Sequence, residues 1–270
     1  MAQSRTRRRA PLEIRTGAAV TFWLLACLLG VAFMGAEARA QAPAAGSGTG
    51  ETPPDRAFAA EIQAFIAADR VTPPAPCQVL FVGSSSIVKW RGTLAADMAP
   101  LGTINRGFGG SQIADVNDWF DAIVAPYAPS VIVFYAGEND IDAGKSVDRV
   151  VADFDAFMAR KTAALGSTPV YFISLKPSKL RFAQFSQQTA VNDAIRARVL
   201  KRSDLHYIDV VPEMLAGGKP KDIFGPDGLH MNAQGYAIWT RIVKAAVMPV
   251  AGADERQCRS RVGAAKAASS

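Results

Sequence analysis

Residues 131–136 read VIVFYA and residues 170–175 read VYFISL. Both runs are almost continuously apolar, rich in β-branched and aromatic residues, and shorter than a typical helix. Strands covered on both faces read this way, and such strands belong to parallel sheets with helices on either side. Working outward, strand candidates lie at 78–82, 103–105, 130–135, 169–175 and 206–210. Helical patterns fill the gaps at 87–97, 112–125, 147–165 and 184–200, a further one covers 233–247, and an earlier one at 55–68 is expected to pack on the outside. Strand–helix alternation over this length predicts an α/β fold, a three-layer α/β/α sandwich around a mostly parallel five-stranded sheet. In such a sheet, ligands bind where strands end and loops begin, at the carboxyl edge.

The flanks read differently. Residues 1–15 carry Arg5, Arg7, Arg8, Arg9 and Arg15 against Glu13; an apolar stretch follows to about residue 36, then Ala38-Arg39-Ala40. A basic start, an apolar centre and a small-x-small site read as an export signal over residues 1–40, cleaved after Ala40. The apolar stretch, residues 17–36, nearly reaches bilayer length, so an uncleaved anchor is the alternative and the one membrane contact expected. The protein is thus expected to be exported, periplasmic or secreted. Residues 41–54 (QAPAAGSGTGETPP) have the composition of a flexible linker, 55–250 read as a single domain, and 251–270 read as a fraying tail.

The net charge of +6 belongs mostly to the first segment. Residues 1–40 hold six Arg and two Glu, so the rest carries 24 basic and 22 acidic residues, a net of +2. No basic run with interleaved aromatics remains, which argues against a nucleic-acid partner. The expected unit is a monomer acting on a small molecule.

Four segments that follow strands carry the chemistry. Gly83-Ser84-Ser85-Ser86 opens a helix, where a serine has a backbone donor beside its own oxygen, although serine there is also a common N-cap. Asn105-Arg106-Gly107-Phe108-Gly109-Gly110-Ser111 lets the backbone approach a ligand closely, or is simply a turn; its spacing is not that of a dinucleotide site. Gly137-Glu138-Asn139-Asp140 presents an uncharged amide that can donate to an oxyanion, or an Asx turn. Asp227-Gly228-Leu229-His230 places an Asp three residues before one of only two histidines, so that the carboxylate can orient the imidazole. The other histidine, His206, starts a strand at the opposite edge and reads as structural.

Together and in this order, the four segments resemble the SGNH hydrolases, also called GDSL esterases. The resemblance covers about residues 79–235 and implies a flavodoxin-like sheet and a serine esterase. Carried over, Ser85 is the nucleophile, His230 the general base and then acid, and Asp227 its orienting partner. The oxyanion donors are the Ser85 and Gly110 N–H groups and the Asn139 side chain. The family's Gly-Asp-Ser reads Gly83-Ser84-Ser85 here, which leaves three adjacent serines to tell apart.

No cofactor and no metal are expected, because the Asp–His pair lacks two further ligands. The loop at 176–181 follows a strand at the same edge, and Lys176 and Arg181 there are candidates to hold an anionic substrate, or a solvated charged loop. The substrate class expected first is a short acyl ester, an O-acetyl group on carbohydrate. The alternatives are a lipid acyl chain, as for a lysophospholipase or thioesterase, and a non-catalytic envelope binding protein that kept the fold. Strand and helix directions put Cys77 and Cys258 at the bottom edge together, so a disulfide is expected, with two separately buried thiols as the alternative.

Overall fold

Central strands of a covered sheet bury both faces, and Val131–Tyr135 (β3) does so at every position. In the computed structural model, which describes residues 57–269, β3 lies between Val79–Gly83 (β1) and Val170–Ile173 (β4). Thr103–Gly107 (β2) and Leu205–Ile208 (β5) form the edges, giving the order β2-β1-β3-β4-β5 with all pairs parallel. That is the flavodoxin-like order, in which the chain reverses its direction of winding between β1 and β3. β1 and β4 are buried throughout, whereas the edge strands are only partly so, which explains why VIVFYA and VYFISL were the loudest signals. The segments read as signal and linker lie outside the described residues.

Ala59–Val71 (α1) precedes the sheet. Ser85–Trp90 (α2) and Leu94–Met98 (α3) connect β1 to β2, and Ile113–Asp118 (α4) and Phe120–Ile123 (α5) connect β2 to β3. Glu138–Asp142 (α6) and Val147–Leu165 (α7) lead to β4, and Phe185–Val199 (α8) to β5. After β5 come the short helix Val211–Met214 (α9), a ribbon of Leu215–Ala216 (β6) and Lys219–Pro220 (β7), and the helix Ala233–Ser269 (α10). Aromatic clusters pack the helical layers on the sheet. Phe134 meets Phe157 at 4.6 Å and Phe154 at 5.4 Å, while Tyr135 meets Trp239 at 4.8 Å and Trp90 meets Phe81 at 5.6 Å. Each such pair is worth about 0.5–1.5 kcal/mol beyond the area it buries.

Three expectations are corrected. The single helix expected at 87–97 is two, because the chain turns at 91–93 and Asp97 folds back to accept from Trp90 Nε1 and Thr93 Oγ1, both at 2.7 Å. The helix expected at 112–125 likewise breaks at Trp119. The last helix, expected at 233–247, is longer: α10 continues past Pro249 to Ser269. Val243, Val247, Ala251 and Cys258 recur on one face of it and are buried, so packing overrides the amide that Pro249 cannot donate. Cys77 and Cys258 form a disulfide, with their Cα atoms 5.7 Å apart. Among the described residues no helix is long and apolar enough to cross a membrane.

Candidate active site

The carboxyl ends of β1, β2 and β3 lie side by side, with Gly83 in register with both Gly107 and Tyr135. The loops that leave them therefore share one edge. Gly83 makes the approach possible: its φ is +136°, and a Cβ there would sit 1.9 Å from the Tyr135 carbonyl oxygen. The chain then enters α2, whose first residue is Ser85. Its N–H is one of those a helix leaves without an internal acceptor. Of the three serines, Ser84 and Ser86 are buried, and Ser85 is the one that faces the imidazole.

His230 Nε2 lies 2.9 Å from Ser85 Oγ, and His230 Nδ1 lies 2.7 Å from Asp227 Oδ2. The other Asp227 oxygen accepts from the backbone N–H groups of Leu229 and His230, each at 2.9 Å. These bonds fix the carboxylate within its own turn. The His230 side-chain bond first, then the two backbone donors, hold the Asp227 carboxyl well below its usual range. Asp227 thus stays an anion and an acceptor, so Nδ1 carries the proton and Nε2 is free to take one from Ser85. Asp227 is half exposed and His230 is 21 % exposed, so the pair sits at the mouth rather than in the core. Tyr236 of α10 donates to the Ser86 carbonyl at 2.9 Å and ties the two ends of the constellation together.

The other two loops are clamped to each other. Asn139 Nδ2 donates to the Ser111 carbonyl at 2.9 Å, and Asp140 accepts from Ile113 N–H at 3.1 Å. Both bonds hold the turn that carries Gly110, whose φ of +82° suits glycine. Asn139 Oδ1 accepts from Arg181 Nη1 at 2.9 Å. A guanidinium can only donate and a carbonyl can only accept, so these two partners agree on one orientation of the amide.

The profile of the GDSL-like lipase/acylhydrolase family matches residues 78–238, well over half of the chain and all four loaded loops. The chain belongs to that family. It is an ester hydrolase of the GDSL type. Solved structures with the same fold include a putative platelet activating factor from Streptococcus pneumonia, at 19% identity over 70% of this chain and 92% of that one, with a TM-score of 0.62. A GDSL-like lipase from Bacteroides thetaiotaomicron matches at 18% identity over 71% and 98%, with a TM-score of 0.60. A carbohydrate esterase family 3 protein from Talaromyces cellulolyticus matches at 18% over 65% and 98%, with a TM-score of 0.54. No curated protein matches the chain by sequence.

In this hydrolase the two cations expected to hold an anionic substrate are engaged otherwise. Lys176 is 1% exposed and donates to Glu138, itself buried, which also accepts from Tyr135 and Ser178 hydroxyls at 2.8 Å each. Arg181 is committed to Asn139 and, through Nη2 at 2.8 Å, to Asp142. Both side chains brace the site from within the protein. Sequence reasoning missed this cluster, and it missed Asp140 as an anchor of the Gly110 turn. A signal was present: a Glu and a Lys stand just after two adjacent, wholly apolar strands, where neither can reach bulk water. His206 sits near the amino end of β5, stacked on Tyr171 at 4.4 Å, at the edge opposite Ser85. Among the described residues no cluster of His, Cys, Asp and Glu could hold a metal ion.

Proposed function

We propose that the hydrolase is an exported serine esterase that removes short acyl groups, O-acetyl groups of carbohydrate first, through Ser85, His230 and Asp227. The observation that carries this is the unbroken chain from Ser85 Oγ through His230 to Asp227, with contacts of 2.9 and 2.7 Å. His230 Nε2 takes the Ser85 proton as Oγ attacks the ester carbonyl. The oxyanion is held by the Ser85 and Gly110 N–H groups and by the Asn139 amide, whose second N–H is left over from its bond to Ser111. His230 then returns the proton to the leaving alcohol, and a water activated by the same imidazole releases the acid. The scheme needs no cofactor and no second subunit.

Among the described residues the connections that follow β1, β2 and β3 are short, which favours a small acyl group over a fatty chain. Export is supported by the basic and apolar start of the sequence and by the disulfide. The experiment is covalent labelling with a fluorophosphonate, followed by p-nitrophenyl esters of rising chain length and then acetylated sugars. Labelling and turnover are expected in the wild type and lost in Ser85→Ala. Full activity in Ser85→Ala with loss in Ser84→Ala would show that the neighbouring serine attacks. A preference for long chains would replace the acetyl-ester reading with a lipid one.

A further inference from the structure

The loop at 176–181, which the reaction scheme does not use, touches both the turn that carries Asn139 and the Asp–His turn. Lys176 and Ser178 hold Glu138, the residue before Asn139. Leu180 N–H donates to the Gly228 carbonyl at 2.9 Å, between Asp227 and His230. Arg181 ends the loop, and its guanidinium reaches the Asn139 carbonyl oxygen at 2.9 Å while Asp142 holds its other nitrogen at 2.8 Å. Gln184 Nε2 steadies the second Asp142 oxygen at 3.0 Å. The Arg181 side chain is only 12% exposed, so water screens its charge little.

We propose that Arg181 is a positioning residue that acts through Asn139, locking its amide with the nitrogen toward the Ser111 carbonyl and drawing electron density from its N–H groups. The proposal follows from two general facts. A free asparagine side chain can turn its amide over, and turned over it would offer the oxyanion an oxygen in place of a donor. An amide whose oxygen accepts from a cation is also a stronger donor at nitrogen, because hydrogen bonds in a chain polarise one another. Arg181 supplies both effects without touching the substrate. The gain is therefore confined to the transition state, where the oxyanion exists.

This inference rests on the acyl-transfer reading, and Ser85→Ala assayed alongside separates the two: activity surviving there defeats the reading itself. The test compares Arg181→Met, Asn139→Ala and the double variant in the full chain on one p-nitrophenyl ester. Arg181→Met is expected to lower kcat about ten- to a hundredfold, less than outright loss of a donor, with KM nearly unchanged. In the Asn139→Ala background the same substitution should change kcat less than about twofold, since the residue it acts through is gone. Equal loss in both backgrounds, or an effect on KM alone, overturns the proposal. Should Arg181→Met fold poorly, Arg181→Lys keeps a cation for Asp142 but cannot span both partners as the planar fork does. It is then expected to lose kcat by an intermediate factor that again vanishes without Asn139, and persistence of that factor overturns the proposal equally.

Discussion

Removing the ammonium from the buried pair beneath the site, Lys176→Met, should destabilise the hydrolase in a way that depends on pH. Glu138 and Lys176 are 4% and 1% exposed at their side chains, so neither charge has water to fall back on. Burial works to raise the Glu138 carboxyl, and Lys176, with Tyr135 and Ser178 donating, outweighs it and holds the carboxyl below its usual range. A carboxyl depressed in the folded state contributes stability above its unfolded value of about 4.3, and loses it as pH falls below that value. In the variant, burial remains while the ammonium is gone, so the carboxyl rises instead. Stability is then lost as pH climbs from about 4.3 toward the raised value. At neutral pH the stranded carboxylate should cost about 3–5 kcal/mol, the usual penalty for breaking one side of a buried pair. Urea unfolding at about pH 7.5 and again near pH 4.5 measures it: the gap between variant and wild type should narrow sharply at the lower pH. Adding Glu138→Gln should restore about 2 kcal/mol or more at pH 7.5, since a neutral amide can accept from one of the two hydroxyls at its oxygen and donate to the other at its nitrogen. A gap that is independent of pH, or a double variant weaker than the single, would refute the account.

Two further outcomes follow from distances at the two ends of the sheet. Asp227→Asn should lower kcat by about a hundred- to a thousandfold, less than the roughly ten-thousandfold known for a buried triad aspartate. Asp227 is half exposed, and water can take over part of its hold on Nδ1, so a steady-state loss well beyond ten-thousandfold would contradict this. Reducing the disulfide should lower the melting temperature while the initial rate at 25 °C stays close to that of the oxidised protein. Cys77 and Cys258 are 181 residues apart, which gives an upper bound of about 5 kcal/mol from chain entropy. Equal melting curves with and without reductant would show that α10 holds without the bond.

The fold was legible wherever burial left a period in the sequence. The three central strands stand out because each is a short apolar run between helical patterns, VIVFYA most of all because β3 has no exposed face. The errors fall where one side chain outweighs a pattern. The break at 91–93 is set by Asp97 folding back onto Trp90 and Thr93, contacts of seven and four residues that no periodicity encodes. The missed extension of α10 has a different cause. Its later turns are made of small residues such as Ala251 and Gly252 around Pro249, which carry little signal until the disulfide and the sheet edge are in view.

The site divides along the same line. Ser85, Asn139, Asp227 and His230 could be singled out because each is a reactive or polar type at the end of a strand or the start of a helix, and such places are few. Lys176 and Arg181 could be singled out too, yet their sequence context says only that two cations follow an apolar strand. Whether a cation there meets a substrate or a neighbour depends on what stands on β3, one strand away in space and some forty residues away in the chain. Glu138 claims Lys176, and Asn139 with Asp142 claims Arg181. The loop after β4 thereby joins the amide donor after β3 to the Asp–His turn before α10. A motif lists the groups that act on an ester; what holds them within a fraction of an ångström of working geometry is written across strands, and becomes visible only when the strands are set side by side.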